Sequence, residues 1–191
     1  MTKYSKIALC ALVIGALSLT SCSKDSSAAP ASIYQRLGGT TMVADPDNSG
    51  QMIEKGRLSY RKVVNSTIGL IVADISSNAP GNLGAHFASL VTEVHAGNTT
   101  NLAELSKNLT DFFSANTGGG STNTYSGLSM AAAHNPALNS RMGVKANAAN
   151  YTKFEGYVGA AAVQNGVAAN TQLYADVVAV LESLRPTIVQ Q

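Results

Sequence analysis

Residues 99–120 read TTNLAELSKNLTDFFSANTGGG. Leu102, Leu105, Leu109, Phe112 and Phe113 recur at three- and four-residue spacing, the repeat of one helical face, whereas a half-buried strand would alternate every second residue. Thr99 or Thr100 is placed to cap the first turn, and Gly118-Gly119-Gly120 to end the last. The same period returns on both sides. Leu58, Val64, Ile68, Ile71, Val72 and Ile75 form an apolar face stopped by Asn78-Ala79-Pro80-Gly81, and Phe87, Leu90, Val91 and Val94 form another that ends near Gly97. A short apolar piece from Leu128 to His134 is halted by Asn135-Pro136. Two final helices carry Phe154, Tyr157, Val158 and Ala161, then Leu173, Val177, Val180, Leu181 and Leu184, with Arg185-Pro186 as the stop. No period-two run of convincing length appears, so the expected fold class is all-α. The Gly- and Asn-rich connections Thr40–Gln51 and Arg141–Asn150 read as surface insertions, because buried loops would strand backbone polar groups.

The N-terminus follows a different logic. Lys3 and Lys6 precede an apolar run of thirteen residues, Ile7 to Leu19, and Leu19-Thr20-Ser21-Cys22 follows at once. As a helix that run rises only about 20 Å, short of the roughly 30 Å bilayer core, so it reads as a signal peptide. The Leu-x-small-Cys ending resembles the lipobox of bacterial lipoproteins, which implies lipidation at Cys22. The expected organisation is a signal peptide at 1–21, lipidated Cys22 and a flexible tether at 22–32, and one domain at 33–191. Ser23 after the lipidated cysteine resembles lipoproteins sorted to the outer membrane, so the expected location is the bacterial envelope.

The whole chain of 191 residues is 45% hydrophobic and 13% charged, which excludes a disordered polyelectrolyte. Its formal charge is +2, and loss of Lys3 and Lys6 leaves 11 Lys plus Arg against 11 Asp plus Glu. Bulk electrostatics therefore offer nothing to nucleic acid. Cys10 would leave with the signal and Cys22 would carry lipid, so the mature fold has no thiol for a disulfide, a zinc site or a nucleophile.

Chemistry must then come from a few positions. Asp45, Asp47, Ser49 and Gly50 mimic the start of a calcium loop, but Gly56 stands where a bidentate Glu is needed, and a solvated turn is the better reading. Gly118-Gly119-Gly120-Ser121-Thr122 follows a helix and lacks the Gly-Lys-Ser/Thr of a phosphate loop. His134 ends the short apolar segment, with Met130 four residues earlier on the same helical face. An imidazole there suits either a haem iron ligand or a histidine satisfied by a backbone carbonyl.

Ser32-Ile33-Tyr34-Gln35-Arg36-Leu37-Gly38-Gly39 resembles the opening of the truncated, two-over-two haemoglobins, group I especially. Phe112-Phe113 with Gly118-Gly119, then Tyr125-Ser126-Gly127-Leu128-Ser129-Met130 and His134, is similar to the segment running from that family's distal helix to its proximal histidine. Met142-Gly143-Val144, Phe154, Gly166-Val167 and the closing Leu181 to Pro186 extend the likeness over about Ser32 to Val189. The resemblance implies a globin-like helical sandwich with surface insertions, holding haem b noncovalently since no Cys-x-x-Cys-His is present. It implies His134 as proximal iron ligand, Phe87 packed on the haem, and Phe113 deep in the distal helix.

The distal side departs from the family pattern. Ile68 falls where many members carry a ligand-binding Tyr, and Leu105 and Leu109 fall at distal-helix positions, the second often Gln. Without a polar donor such a pocket should hold dioxygen weakly while affecting CO or NO less. His95 is the candidate sixth ligand, with His86, the neighbour of Phe87, second. The implied function is binding of a diatomic gas (O2, NO or CO) for sensing, buffering or transport. The missing Tyr and Gln weaken any NO dioxygenase or peroxidase-like side activity, and no catalytic residue stands out. The rival is a haem-free helical lipoprotein using a globin fold as an interaction or structural module.

Overall fold

Ser32 opens the first helix, α1 (Ile33–Arg36), by a reciprocal cap: its hydroxyl accepts from Gln35 N–H while the Gln35 side chain accepts from Ser32 N–H. The computed structural model describes residues 29–191, of which Ala31–Gln191 form one compact unit. The basic n-region, the apolar run Ile7–Leu19, Cys22 and the tether up to residue 28 lie outside the described residues. Among the described residues no helix is long and apolar enough to cross a membrane.

Seven α-helices carry the described fold, as the helical periodicity requires. After α1 come α2 (Lys55–Ser76), α3 (Ala88–His95), α4 (Thr100–Ser114), α5 (Met130–Ala133), α6 (Ala148–Gln164) and α7 (Gln172–Ile188). Tyr60, Val64, Thr67 and Ile71 keep one helical face of α2 buried. That helix packs against both α4 and α6, α7 packs on α6, and the short α5 rests on α7. Asn147 starts α6 through a second reciprocal cap with Asn150, and Thr171 caps α7 by accepting from Tyr174 N–H.

Four local expectations are corrected. Thr40–Gln51 is not a plain loop but contains one strand and the turn of an antiparallel hairpin, in which β1 (Met42–Ala44) pairs with β2 (Met52–Glu54), Val43 opposite Ile53. Three-residue strands are too short to show period-two patterning, and Ile53 alone of the six is buried. The hairpin turn is tied to α2, where Arg61 bridges Asp45 and Asp47, and within the turn Asp45 also accepts from Asn48. Thr99 is the N-cap of α4, but its side chain makes no capping bond; Asn98, one residue earlier, accepts from Thr100 N–H at 3.0 Å instead. Pro186 does not stop α7, which runs on to Ile188. A proline in a last turn removes one hydrogen bond, and Val189 N–H to Arg185 carbonyl at 2.9 Å closes the end. Arg141–Asn150 is mostly exposed, yet Ala146 is buried and forms a parallel bridge to Val189.

The C-terminus of α4 passes into a π-turn, Ala115–Gly119, where Gly118 adopts φ +112°. A side chain there would be strained, and its Cβ would strike Ser32. Tyr34, nearly inaccessible, lies in the gap between Gly56 and Gly119, where a Cβ on either glycine would meet its ring. Its hydroxyl bonds Glu54, and Asn123 donates to Tyr34 Oη (3.0 Å) and to Glu54 (2.8 Å) while accepting from Arg57 (3.0 Å). Arg57 and Lys107 both pair with buried Asp111. An aromatic row runs outward from this knot: Tyr34 on Tyr60, Tyr60 on Phe113 (centroids 5.9 Å), Phe113 edge-on to Phe112, and Phe112 edge-on to Tyr125.

Candidate functional site

The far end of that row forms part of the wall of a cavity. Phe112 and Tyr125 line it together with Leu105 and Leu109 of α4, Phe87 and Leu90 at the start of α3, and Met130 and His134 around α5. Its floor is the core cluster of Ala146, Tyr151 and Ile188, with Phe154 packed beside it. The volume is about 360 Å³, within the range of about 300–1,000 Å³ usual for small-molecule and cofactor sites. Its rim is polar: Asn101, Glu104 and Asn108 from α4, Asn139 and Arg141 from the segment after α5, and Asn150 from α6.

The position of His134 follows from local structure. Ser129 caps α5 by accepting from Ala132 N–H, and the helix lasts one turn before His134 at its C-cap. Its Nδ1 lies 2.8 Å from the Met130 carbonyl. A carbonyl only accepts, so Nδ1 carries the proton and the neutral ring keeps its lone pair on Nε2. Among the described residues nothing bonds that nitrogen. Burial in the half-buried site holds the imidazole below its ordinary 6.5, opposed by the bond to Met130 and reinforced by the nearby His86. This is the arrangement by which a carbonyl fixes the tautomer and orientation of a metal-binding histidine.

A second histidine shares the cavity. His86 is buried, with Nδ1 3.1 Å from the Val144 carbonyl, and its own carbonyl accepts from Gly143 N–H at 3.0 Å. Gly143 is required by this close approach: a Cβ there would collide with the Ala85 carbonyl. The Met142-Gly143-Val144 segment is thus fastened to the chain entering α3.

The structure gathers His134, Met130, Phe87, Leu105 and Leu109 around one cavity. It places Ile68 and His95 elsewhere, in a smaller neighbouring apolar cavity of about 60 Å³ that shares Phe87, Leu90 and Leu105 as a common wall. His95 is exposed at the end of α3, so its side chain is not the cavity's second imidazole; His86 is. Phe113 stacks on Tyr60, and its neighbour Phe112 lines the cavity, since consecutive helical residues point about 100° apart. Phe112 and Tyr125, read from the sequence only as helix-face and resemblance residues, and Arg141, at the start of an expected surface insertion, line the cavity without having been expected there. No group of three or more His, Cys, Asp or Glu side chains that could hold a metal ion occurs among the described residues. No known family model matches the chain, and no curated protein sequence does either.

Proposed function

We propose that this protein is an envelope-anchored truncated globin that binds haem b noncovalently, with His134 as the iron ligand, and reversibly holds a diatomic gas for sensing, buffering or transport. The observation that carries the reading is the neutral His134 on the wall of a large apolar cavity, its Nδ1 proton committed to Met130 and its Nε2 uncommitted. The residues fit the group: an apolar chamber for a flat hydrophobic ring, one oriented imidazole, and a polar rim for a polar edge. The helix contacts are compatible with it: α2 packs on both α4 and α6, and α7 packs on α6. When bound, haem b would supply the iron that coordinates the gas. Phe87 and Met130 would exclude water, and Leu105 and Leu109 would themselves offer the gas no hydrogen-bond donor, leaving Asn101 and Asn108 as the side chains of α4 on the lining that carry an N–H to donate. The lipid anchor at Cys22 and the envelope location belong to the same proposal.

The test is the absorption spectrum of purified protein after hemin addition, in ferric, ferrous and CO-bound forms. A Soret band shifting with each state is expected. Protein that stays colourless and leaves free hemin unchanged would replace this reading with a haem-free helical lipoprotein.

A further inference from the structure

We infer that the aromatic row is a one-electron conduit from the cavity to Tyr34, whose phenolic proton passes to Glu54 as the electron leaves, an inference that rests on the haem reading for its oxidant. Tyr125 and Phe112 stand on the cavity wall. From there the ring centroids follow one another at 5.3 Å (Tyr125 to Phe112), 5.4 Å (Phe112 to Phe113), 5.9 Å (Phe113 to Tyr60) and 6.4 Å (Tyr60 to Tyr34). Phenylalanine is too hard to oxidise to hold a missing electron, so Phe112 and Phe113 bridge the tyrosines by tunnelling. Such spacings also occur in ordinary cores. What sets the destination is the partner of each hydroxyl.

An oxidised phenol is a strong acid and persists only after its proton has gone to a base. Tyr125 donates to the Leu128 carbonyl at 2.6 Å, which is a poor base. Tyr60 lies 2.6 Å from Thr117 Oγ1, whose own proton is committed to the Phe113 carbonyl at 2.7 Å. Tyr60 is therefore the donor there, and its acceptor is a neutral hydroxyl. Tyr34 alone in the row donates to a carboxylate, that of Glu54. Burial pushes the Glu54 carboxyl up, but the bonds from Tyr34, Asn123 and Thr122 and the charge of Arg57 outweigh it and keep the group ionised. Burial first, and then Glu54, push Tyr34 up to about 12, so it keeps its proton until it is oxidised. Once the proton has moved, Asn123 still donates to Tyr34 Oη at 3.0 Å, and the nearly inaccessible ring is shielded from water. Tyr157 also donates to a carboxylate, that of Asp74, but stands outside the row and serves as the control.

The step balances with hydrogen peroxide as oxidant at ferrous haem. Peroxide takes one electron from the iron and one from Tyr34, gains two protons from the solvent, and leaves as two waters. The Tyr34 O–H bond breaks, an O–H bond forms on Glu54 Oε2, and Tyr34 remains as a neutral phenoxyl radical. The test mixes full-length protein carrying ferrous haem with equimolar hydrogen peroxide, without air, and freezes it for electron paramagnetic resonance. A tyrosyl signal is expected in the parent and in Tyr157→Phe, and its loss in Tyr34→Phe. Glu54→Gln keeps an acceptor for the phenol but no base, and Phe112→Leu interrupts the row, so both should lose most of the signal. Far-ultraviolet circular dichroism confirms that each variant is folded. In a second arm, flash-generated ruthenium(III) tris(bipyridine) oxidises hemin-free protein, and the variants report where the radical comes to rest. A signal of unchanged shape and yield in Tyr34→Phe or Glu54→Gln, in either arm, overturns the inference. So does a full signal in Phe112→Leu, or none from the haem-loaded parent. A parent that takes up no hemin, yet loses its flash-induced signal in Tyr34→Phe, removes the haem reading while supporting Tyr34 as the resting place.

Discussion

Replacement of His134 by Ala separates the ligand role of this side chain from its structural role, because the two losses differ severalfold. In the ligand-free protein the ring contributes one hydrogen bond, Nδ1 to the Met130 carbonyl, worth about 0.5–1.5 kcal/mol net. That carbonyl is not orphaned by the change, since it also accepts from His134 N–H at 3.3 Å. The ring already borders a cavity, so its removal enlarges an existing space instead of opening one in a packed core. About 1 kcal/mol corresponds to roughly 2–4 °C in melting temperature for a domain of this size. Hemin at a thousandfold excess over its dissociation constant would stabilise the parent by about 4.1 kcal/mol, or roughly 8–16 °C. Thermal scans by circular dichroism, with and without hemin, should therefore show His134→Ala melting within a few degrees of the parent alone but losing most of the hemin-dependent rise. Imidazole added at about 10 mM should restore part of it by occupying the vacated position. A variant that keeps the full hemin-dependent rise and the parent's ferrous spectrum would refute His134 as the ligand.

Other consequences can be checked on the same protein. Gly143→Ala drives a Cβ into the Ala85 carbonyl and should cost about 1–3 kcal/mol, read as a lower denaturant midpoint, and should weaken hemin uptake by freeing His86 from Val144. Asn123→Leu strips donors from Glu54 and Tyr34 and an acceptor from Arg57, so a loss of about 1–3 kcal/mol is expected without change in hemin affinity. His134 is held below its ordinary 6.5 by burial, so the unfolded chain takes up a proton first as pH falls. Ligand-free stability from this group is complete above about pH 6.5 and declines below it until the folded value is passed; His134→Ala should flatten that segment of the stability profile. Cys22→Ser should release the protein from membranes and leave its melting temperature unchanged.

The long helices were legible because their apolar residues repeat often enough to establish a period; α2 and α4 each show five or more such positions. The hairpin was not, since three-residue strands offer one buried side chain between them, and their pairing rests on backbone bonds that no residue pattern announces: Asp45 N–H to the Gln51 carbonyl across the turn and Lys55 N–H to the Thr41 carbonyl at the open end. His134 was legible through its place at the end of a short apolar segment. The choice between Phe112 and Phe113 was not, because adjacent aromatics satisfy the same periodicity and only packing on Tyr60 decides which turns away. His95 and His86 show why titratable residues are hard to place from sequence. Both sit in apolar surroundings along the chain, but the carbonyl of Val144, 58 residues from His86, draws only that ring to the cavity.

The aromatic row gives the molecule an optical property of its own. The chain has seven tyrosines and no tryptophan, so its ultraviolet emission comes from phenols alone. Tyr125 and Tyr151 stand on the cavity wall, and Tyr60 lies behind them through Phe113 and Phe112. Any strongly absorbing molecule seated in the cavity would be within a few ring diameters of these emitters and would drain their excited states. The protein thus carries an unlabelled reporter of cavity occupancy whose brightness falls as the cavity fills, against a background free of indole light.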